Sequence, residues 1–176
     1  LIIDHAIVIN DKKIVALCPH NEAADQFITS NIICLDNHIL IPGLINAHCH
    51  APMTLLRGIA DDLPLEDWLN KKIWPLEKKF ISQKFVEDGA ELAIAEMILS
   101  GTTCFADMYF YPDCVAKKAI DSNMRVQLAC PVLDFPTIWT QSADEYIQKT
   151  IKVRQKKLQL LKNKLISHNY LLQYII

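Results

Sequence analysis

The sequence predicts an α/β fold with a parallel sheet. From Pro42 onward, strand-like and helix-like segments alternate, with strands predicted for GLINA, TTCFADM and MRVQLACPVL. Such alternation is typical of a parallel sheet, because parallel strands need a crossover connection and the crossover is usually a helix. The chain has 176 residues, 51% of them apolar and 22% charged, as in an ordinary globular domain. A complete (β/α)8 barrel usually takes about 250 residues, so the length excludes one.

Residues 1–42 are predicted to form a small antiparallel sheet. Two β-rich runs, LIIDHAIVIN and IVALC, are separated by DKK and followed by the short helical stretch NEAADQF. The runs IICLD and HILI predict two further strands. The chain begins with Leu1 and has almost no polar lead, so we expect its N-terminus to be cut.

The helices between the predicted parallel strands have recognisable ends. LEDWLNKKIW predicts a helix that stops at Pro75. SQKFVEDGAELAIAEMILSG predicts a second helix, with Ser82 as N-cap and Gly101 as C-cap. One apolar face of this helix would pack on the sheet, and it comprises Val86, Ala90, Ala93 and Met97. PDCVAKKAIDSN predicts a third helix.

A last helix is predicted to extend to about Leu165. Its apolar stripe comprises Ile151, Leu158, Leu161 and Leu165. The residues after it, ISHNYLLQYII, show no turn or capping signal that would complete a domain.

Charge and cysteine content narrow the class of partner. The net charge of −2 gives no electrostatic reason to expect nucleic acid or an anionic membrane, so we expect a small-molecule substrate. The six cysteines form no C-x-x-C pair, and we expect most of them to be small buried residues. The sequence shows no signal peptide and no apolar run of about 18 residues, which predicts a reducing, cytoplasmic compartment and no membrane partner.

The strongest local motif is His48-Cys49-His50, at the end of the GLINA strand. Alternate residues of a strand project to the same face, so the two imidazoles can bind one ion about 2 Å from each nitrogen, while Cys49 points the other way. On its own the motif also fits two polar residues at a strand end. Zinc takes three or four protein ligands, so two histidines do not complete a site.

Two long segments carry a resemblance to a known family. They are PGLINAHCHAPMTLLRGIADDLPLEDWLNKKIWPLE and DGAELAIAEMILSGTTCFADMYFYPD. They resemble the amidohydrolase superfamily, in its branch of 5-methylthioadenosine/S-adenosylhomocysteine deaminases and chlorohydrolase-like relatives. The resemblance implies a metal-dependent (β/α)8 barrel flanked by a small β-sandwich. Residues 1–42 would be an incomplete β-sandwich segment, and residues 43–176 the N-terminal part of the barrel, with its first three βα units.

The resemblance assigns four residues to a site. His48 and His50 match two metal ligands that follow the first barrel strand, and the implied cofactor is one divalent ion, zinc or iron. Glu77 matches an acid that holds the nucleoside ribose, since one carboxylate can accept from two vicinal hydroxyls. The alternative for Glu77 is a solvated charge at a helix end. Trp68 matches an aromatic residue that lines the pocket, and the alternative is a core residue of an amphipathic helix.

Other polar residues lie near the predicted strand exits. Arg57, Asp61 and Asp62 belong to the loop after the first barrel strand, and we expect them to shape it through salt bridges. Asp107 lies at the exit of the second strand, where active-site residues cluster in barrels. A strand-end cap is an equal alternative for Asp107.

The sequence departs from the family pattern toward its end. The family has a Pro-His-Ala-Pro segment at strand 4, histidines at strands 5 and 6, a Glu that acts as acid and base, and an Asp at strand 8. None is present, so the remaining metal ligands are absent and no catalytic residue is assigned. His168 lacks the flanking prolines and is not assigned to that segment. The resemblance is lost after about residue 167, which a change of reading frame near Ser167 or an interrupted gene would explain.

The implied activity is hydrolytic deamination of the adenine ring of 5-methylthioadenosine, S-adenosylhomocysteine or an adenosine-type nucleoside. Hydrolysis of another N-heterocycle, such as a triazine or guanine, is an alternative. A third possibility is a non-catalytic fragment that is inactive alone, with an open sheet edge along its third parallel strand. A homo-oligomer stays open for the intact protein.

Overall fold

The computed structural model describes residues 2–11, 13–163 and 174–175. The chain divides into two compact units, residues 1–41 and residues 42–176. No helix in the described part of the chain is long and apolar enough to cross a membrane.

The first unit is a β-hairpin followed by a short helix. Strands β1 (His5–Asn10) and β2 (Lys13–Pro19) pair antiparallel, and α1 (His20–Gln26) follows, which confirms the first two predicted strands and the helix. The strands predicted for IICLD and HILI are wrong, because the backbone over 27–41 is irregular. A strand needs a neighbour for its N–H and C=O groups, and in the described ranges none pairs with this segment. Its apolar side chains are accordingly exposed, as at Ile32, Ile33 and Ile39.

The second unit contains four parallel strands that are adjacent in sequence order. They are β3 (Leu44–Cys49), β4 (Thr102–Met108), β5 (Arg125–Ala129) and β6 (Tyr174–Ile175). The predicted strands from GLINA, TTCFADM and MRVQLACPVL are therefore confirmed. The open edge predicted along the third strand is wrong where Leu128 and Ala129 pair with β6.

A 16-residue helical run between β3 and β4 contains the predicted first helix. It consists of α2 (Leu65–Trp68), a π-turn (Leu69–Ile73) and α3 (Trp74–Phe80). The predicted stop at Pro75 is wrong, because Pro75 lies in the first turn of α3, where a missing N–H costs little. The π-turn lets the helical run continue up to Pro75, since the Trp74 N–H bonds to the Leu69 carbonyl five residues back.

The longest connecting helix before β4, α4 (Gln83–Leu99), begins at the predicted N-cap and has its C-cap one residue before the predicted Gly101. The Ser82 hydroxyl accepts from the Phe85 N–H at 3.1 Å, which confirms the N-cap. Ser100 is the capping residue at the other end, and Gly101 follows it at φ +81°, a left-handed conformation that favours glycine. The predicted apolar face is buried, and it contacts the core formed with β4, β5 and α5 (Pro112–Asp121).

The remaining helix, α6 (Ala143–Asn163), connects β5 to β6. Ile151 of its predicted stripe is half-buried, whereas Leu158, Leu161 and Leu165 lie outside the residues whose side chains the structure describes.

All six cysteines lie within the described residues. The expectation that most of them are buried is wrong, because only Cys18, Cys114 and Cys130 are buried, whereas Cys34 is exposed and Cys49 and Cys104 are half-buried.

Candidate metal and nucleoside site

The candidate site lies at the carboxyl ends of β3 and β4. These strands are parallel, and their register places Cys49 beside Asp107. The residues that follow Cys49 and Asp107 therefore emerge at the same edge of the sheet. After β3 the chain enters a 3-10 helix (Ala51–Leu56) that packs against α4.

His48 and His50 come together as the motif predicts. Their ring centroids are 5.0 Å apart, in an edge-to-face arrangement. The Nδ1 atom of His50 lies 2.7 Å from the Met108 carbonyl oxygen. A carbonyl only accepts, so Nδ1 carries the proton and, in the neutral ring, Nε2 keeps its lone pair. This hydrogen bond fixes the tautomer and ring orientation that metal-binding histidines use.

Asp107 holds the turn that follows the two histidines. Its side chain is 3% exposed, and its Oδ1 accepts from the Ala51 N–H at 2.6 Å. Burial raises the pKa of Asp107 to about 6, although the Ala51 N–H opposes this change. Burial and the neighbouring Asp107 raise the pKa of the Cys49 thiol to about 12. The structure therefore gives Asp107 the capping role, toward the start of the 3-10 helix.

Glu77 is buried rather than solvated. It lies in α3 with 9% of its surface exposed, and its Oε1 accepts from the Tyr109 hydroxyl at 2.7 Å. Burial raises the pKa of Glu77, while the Tyr109 hydroxyl and the nearby His50 act in the opposite direction. The alternative of a solvated helix-end charge is therefore wrong.

Tyr109 is the site residue that the sequence analysis missed. Its hydroxyl contacts Glu77, and its ring centroid is 6.5 Å from that of His50. Burial and the adjacent Glu77 raise the pKa of the Tyr109 hydroxyl, so it is a hydrogen-bond donor at neutral pH. Its position two residues after Asp107, at a strand exit, was the available signal.

Trp68 lies on the wall of a separate cavity of about 310 Å³. The 3-10 helix and the loop after it form most of this wall, through residues that include Met53, Thr54 and Asp61. Trp68 is half-buried, which differs from a core residue. The lining residues of this cavity do not include either histidine of the motif or Glu77.

Arg57 has the predicted loop-shaping role. Its guanidinium makes two hydrogen bonds to the Glu96 carboxylate of α4, at 2.9 and 2.6 Å. This bidentate pair ties the end of the 3-10 helix to α4.

The donor chemistry of the histidine pair fits a divalent ion. Two imidazoles whose ring centroids lie 5.0 Å apart, with a backbone carbonyl fixing one tautomer, suit zinc or iron. Among the described residues, no group of three or more His, Cys, Asp or Glu side chains is arranged to hold an ion. His48 and His50 therefore fit as two ligands of a larger set.

Comparison with known proteins identifies the family. The model of the amidohydrolase family matches residues 39–169. The chain is 49% identical over 151 residues to a 5-methylthioadenosine/S-adenosylhomocysteine deaminase of Teredinibacter turnerae, covering 86% of this chain and 34% of the relative. It is 42% identical over 134 residues to a 5'-deoxyadenosine deaminase of Methanococcus maripaludis, covering 76% and 30%. The chain thus spans about a third of the length of these curated relatives.

A solved structure gives the same result. An adenosine deaminase from Xanthomonas campestris with bound zinc superposes with a TM-score of 0.85 at 38% identity, covering 97% of this chain and 37% of that one. This match confirms the predicted fold class, an α/β unit that corresponds to part of a metal-dependent-hydrolase barrel. The chain therefore belongs to the amidohydrolase family.

Proposed function

We propose that this chain forms the metal- and ribose-binding part of an aminohydrolase that removes the 6-amino group from adenosine-type nucleosides. One observation carries the proposal. Met108 and Tyr109, adjacent at the end of β4, hold His50 and Glu77, so a metal ligand and a buried carboxylate lie side by side. The names of the relatives support 5-methylthioadenosine, S-adenosylhomocysteine and 5'-deoxyadenosine as substrates.

The proposed roles follow from the chemistry of each side chain. His48 and His50 would hold one divalent ion, and the zinc in the Xanthomonas campestris structure favours zinc over iron. A bound ion would lower the pKa of a water molecule so that it can attack the purine ring at neutral pH. Glu77 would accept hydrogen bonds from the ribose hydroxyls. Trp68 would line the pocket as an aromatic surface for the substrate.

Two alternatives to this proposal stay open. The first is hydrolysis of a triazine or of guanine, neither of which has a ribose to hold. Because Glu77 is buried and accepts a hydrogen bond, its carboxylate favours a ribosylated substrate instead. The other alternative is a chain that is inactive alone. It is supported by the sequence, which has no counterpart of the family's acid/base Glu.

The compartment and assembly are further parts of the proposal. The absence of C-x-x-C pairs and the wide spacing of the cysteines support a reducing cytoplasm. A small nucleoside is the proposed partner, and a homo-oligomer stays open for the intact protein.

Zinc binding and deamination test the proposal. His48→Ala and His50→Ala should each weaken zinc binding by roughly tenfold or more, as measured by titration calorimetry on the metal-free chain. His38→Ala is the matched control, because His38 is exposed and its ring bonds locally to the Asp36 carbonyl. Equal zinc affinity in all three variants would contradict the metal site.

Deamination of adenosine, followed by ultraviolet absorbance, distinguishes a chain that is active alone from one that is inactive alone. We expect turnover by a full-length relative and none by the 176-residue chain alone. Turnover by the zinc-loaded chain would contradict the inactive-fragment alternative.

A further inference from the structure

We propose that Tyr109 is a positioning residue for Glu77: its hydroxyl holds one carboxylate oxygen and presents the other to the vicinal hydroxyls of a ribose. The inference rests on the proposed function, which gives Glu77 its ligand. It goes further by naming the group that determines whether a ribosylated substrate is preferred.

The contact between Tyr109 and Glu77 joins two elements of the fold. Tyr109 follows β4, Glu77 lies in α3, and the two residues are 32 positions apart. Both side chains are buried, with Tyr109 5% and Glu77 9% exposed. A hydrogen bond to a charged partner at a buried site is stronger than a neutral one, so it can hold the carboxylate in one rotamer.

The chemistry of a carboxylate explains why this bond affects recognition. An ionised carboxylate only accepts, and its two oxygens can take several hydrogen bonds. Tyr109 donates to Oε1, which leaves Oε2 and a second lone pair of Oε1 for other donors. Vicinal ribose hydroxyls are a matched pair of donors.

The tyrosine also stabilises the ionised form of Glu77. Burial alone favours a protonated Glu77, and a protonated carboxyl would replace one acceptor with a donor. The Tyr109 hydroxyl opposes that change. The ring of Tyr109 packs against that of Phe110, with centroids 5.3 Å apart, so the hydroxyl is held in place.

The experiment compares two nucleosides that differ in the groups Glu77 would bind. Adenosine and 2',3'-dideoxyadenosine are titrated into the 176-residue chain, and the ratio of their Kd values measures recognition of the vicinal hydroxyls. Tyr109→Phe removes the hydroxyl and keeps the ring. We expect the wild-type chain to prefer adenosine by roughly tenfold and both Tyr109→Phe and Glu77→Gln to reduce this preference several-fold.

Tyr111→Phe is the matched control. It removes a tyrosine hydroxyl two residues away, on a ring that packs against Trp139. It should keep the wild-type preference. A loss of overall affinity without a change in the ratio would indicate a merely structural role for Tyr109 and would overturn the inference.

The outcomes distinguish the inference from the proposed function. If Glu77→Gln loses the preference and Tyr109→Phe keeps it, only the inference on Tyr109 is wrong. If the wild-type chain binds both nucleosides equally or binds neither, the ribose role of Glu77 is wrong and the inference falls with it.

A ligand-free measurement tests the hydrogen bond itself. The side-chain carboxyl carbon resonance of Glu77, assigned by its disappearance in Glu77→Gln, should shift in Tyr109→Phe and stay in place in Tyr111→Phe. An unchanged resonance in Tyr109→Phe would also overturn the inference.

Discussion

Gly89 is the position at which a single methyl group should disturb both the fold and the candidate site. It lies in the middle of α4, facing the 3-10 helix that follows His50. A Cβ built at Gly89 would be 2.5 Å from the Pro52 carbonyl oxygen and 2.7 Å from the Pro52 Cα. Ordinary contacts between such atoms are about 3.5–4.0 Å, so α4 and the 3-10 helix would have to separate by about 1 Å. We therefore predict that Gly89→Ala destabilises the protein.

The size of the effect follows from two opposing contributions. Alanine is favoured over glycine within a helix by about 1 kcal/mol. Overpacking a buried contact costs about 1–3 kcal/mol, and the upper value applies here because the obstacle is buried backbone rather than a flexible side chain. The net loss should be about 2 kcal/mol, which lowers the Tm of a protein of this size by roughly 4–8 °C.

Thermal unfolding followed by circular dichroism measures this loss. The matched control is Ala95→Gly, which makes the reverse change at an exposed position of the same helix. It should lose about 1 kcal/mol from helix propensity alone. If Gly89→Ala is instead more stable than the wild type by a similar amount, the close packing of α4 on Pro52 is wrong.

Three further predictions concern the cap, the buried carboxylate and the core. Ser82→Ala should cost about 1 kcal/mol in urea unfolding, because the Phe85 N–H loses its acceptor. Since the folded pKa of Asp107 is raised to about 6, the metal-free wild type should lose stability as the pH rises from 4 to 6. Asp107→Asn cannot ionise, so between pH 4 and 6 its free energy of unfolding should rise relative to that of the wild type by about 2 kcal/mol, and parallel pH profiles of the two proteins would contradict the shift. Phe105→Ala should cost about 3–5 kcal/mol in the same urea assay, because Phe105 is fully buried, and a loss below about 1 kcal/mol would contradict its place in the core.

Local signals in the sequence were sufficient for much of the parallel unit. The β4 prediction from TTCFADM matches its observed bounds, because a short apolar run between Gly101 and a helix-start proline has clear ends. The Ser82 cap follows from the side chain alone. The histidine pair follows from the period of a strand, which places alternate residues on one face.

The errors lie where the outcome depends on distant partners. The IICLD and HILI runs have strand composition, yet a strand forms only if another strand pairs with it. Pro75 has no backbone N–H to donate in any helix. The π-turn before it makes this N–H unnecessary, and no local rule predicts the π-turn. Tyr109 was missed because its partner Glu77 is 32 residues earlier and belongs to a helix whose extent was predicted wrongly.

The end of β4 explains how the candidate site is assembled. Three consecutive residues there each hold a different part of it: Asp107 holds the Ala51 N–H, the Met108 carbonyl holds the His50 ring, and the Tyr109 hydroxyl holds Glu77. A one-residue slip between β3 and β4 would exchange the faces of these side chains and separate all three contacts. The site therefore depends on the β3–β4 register at the carboxyl end of the two strands, where Cys49 pairs with Asp107. All three of these hydrogen bonds join residues between His50 and Tyr109, and β5 supports them from the other side of β4, where Leu128 and Ala129 pair with Asp107 and Met108.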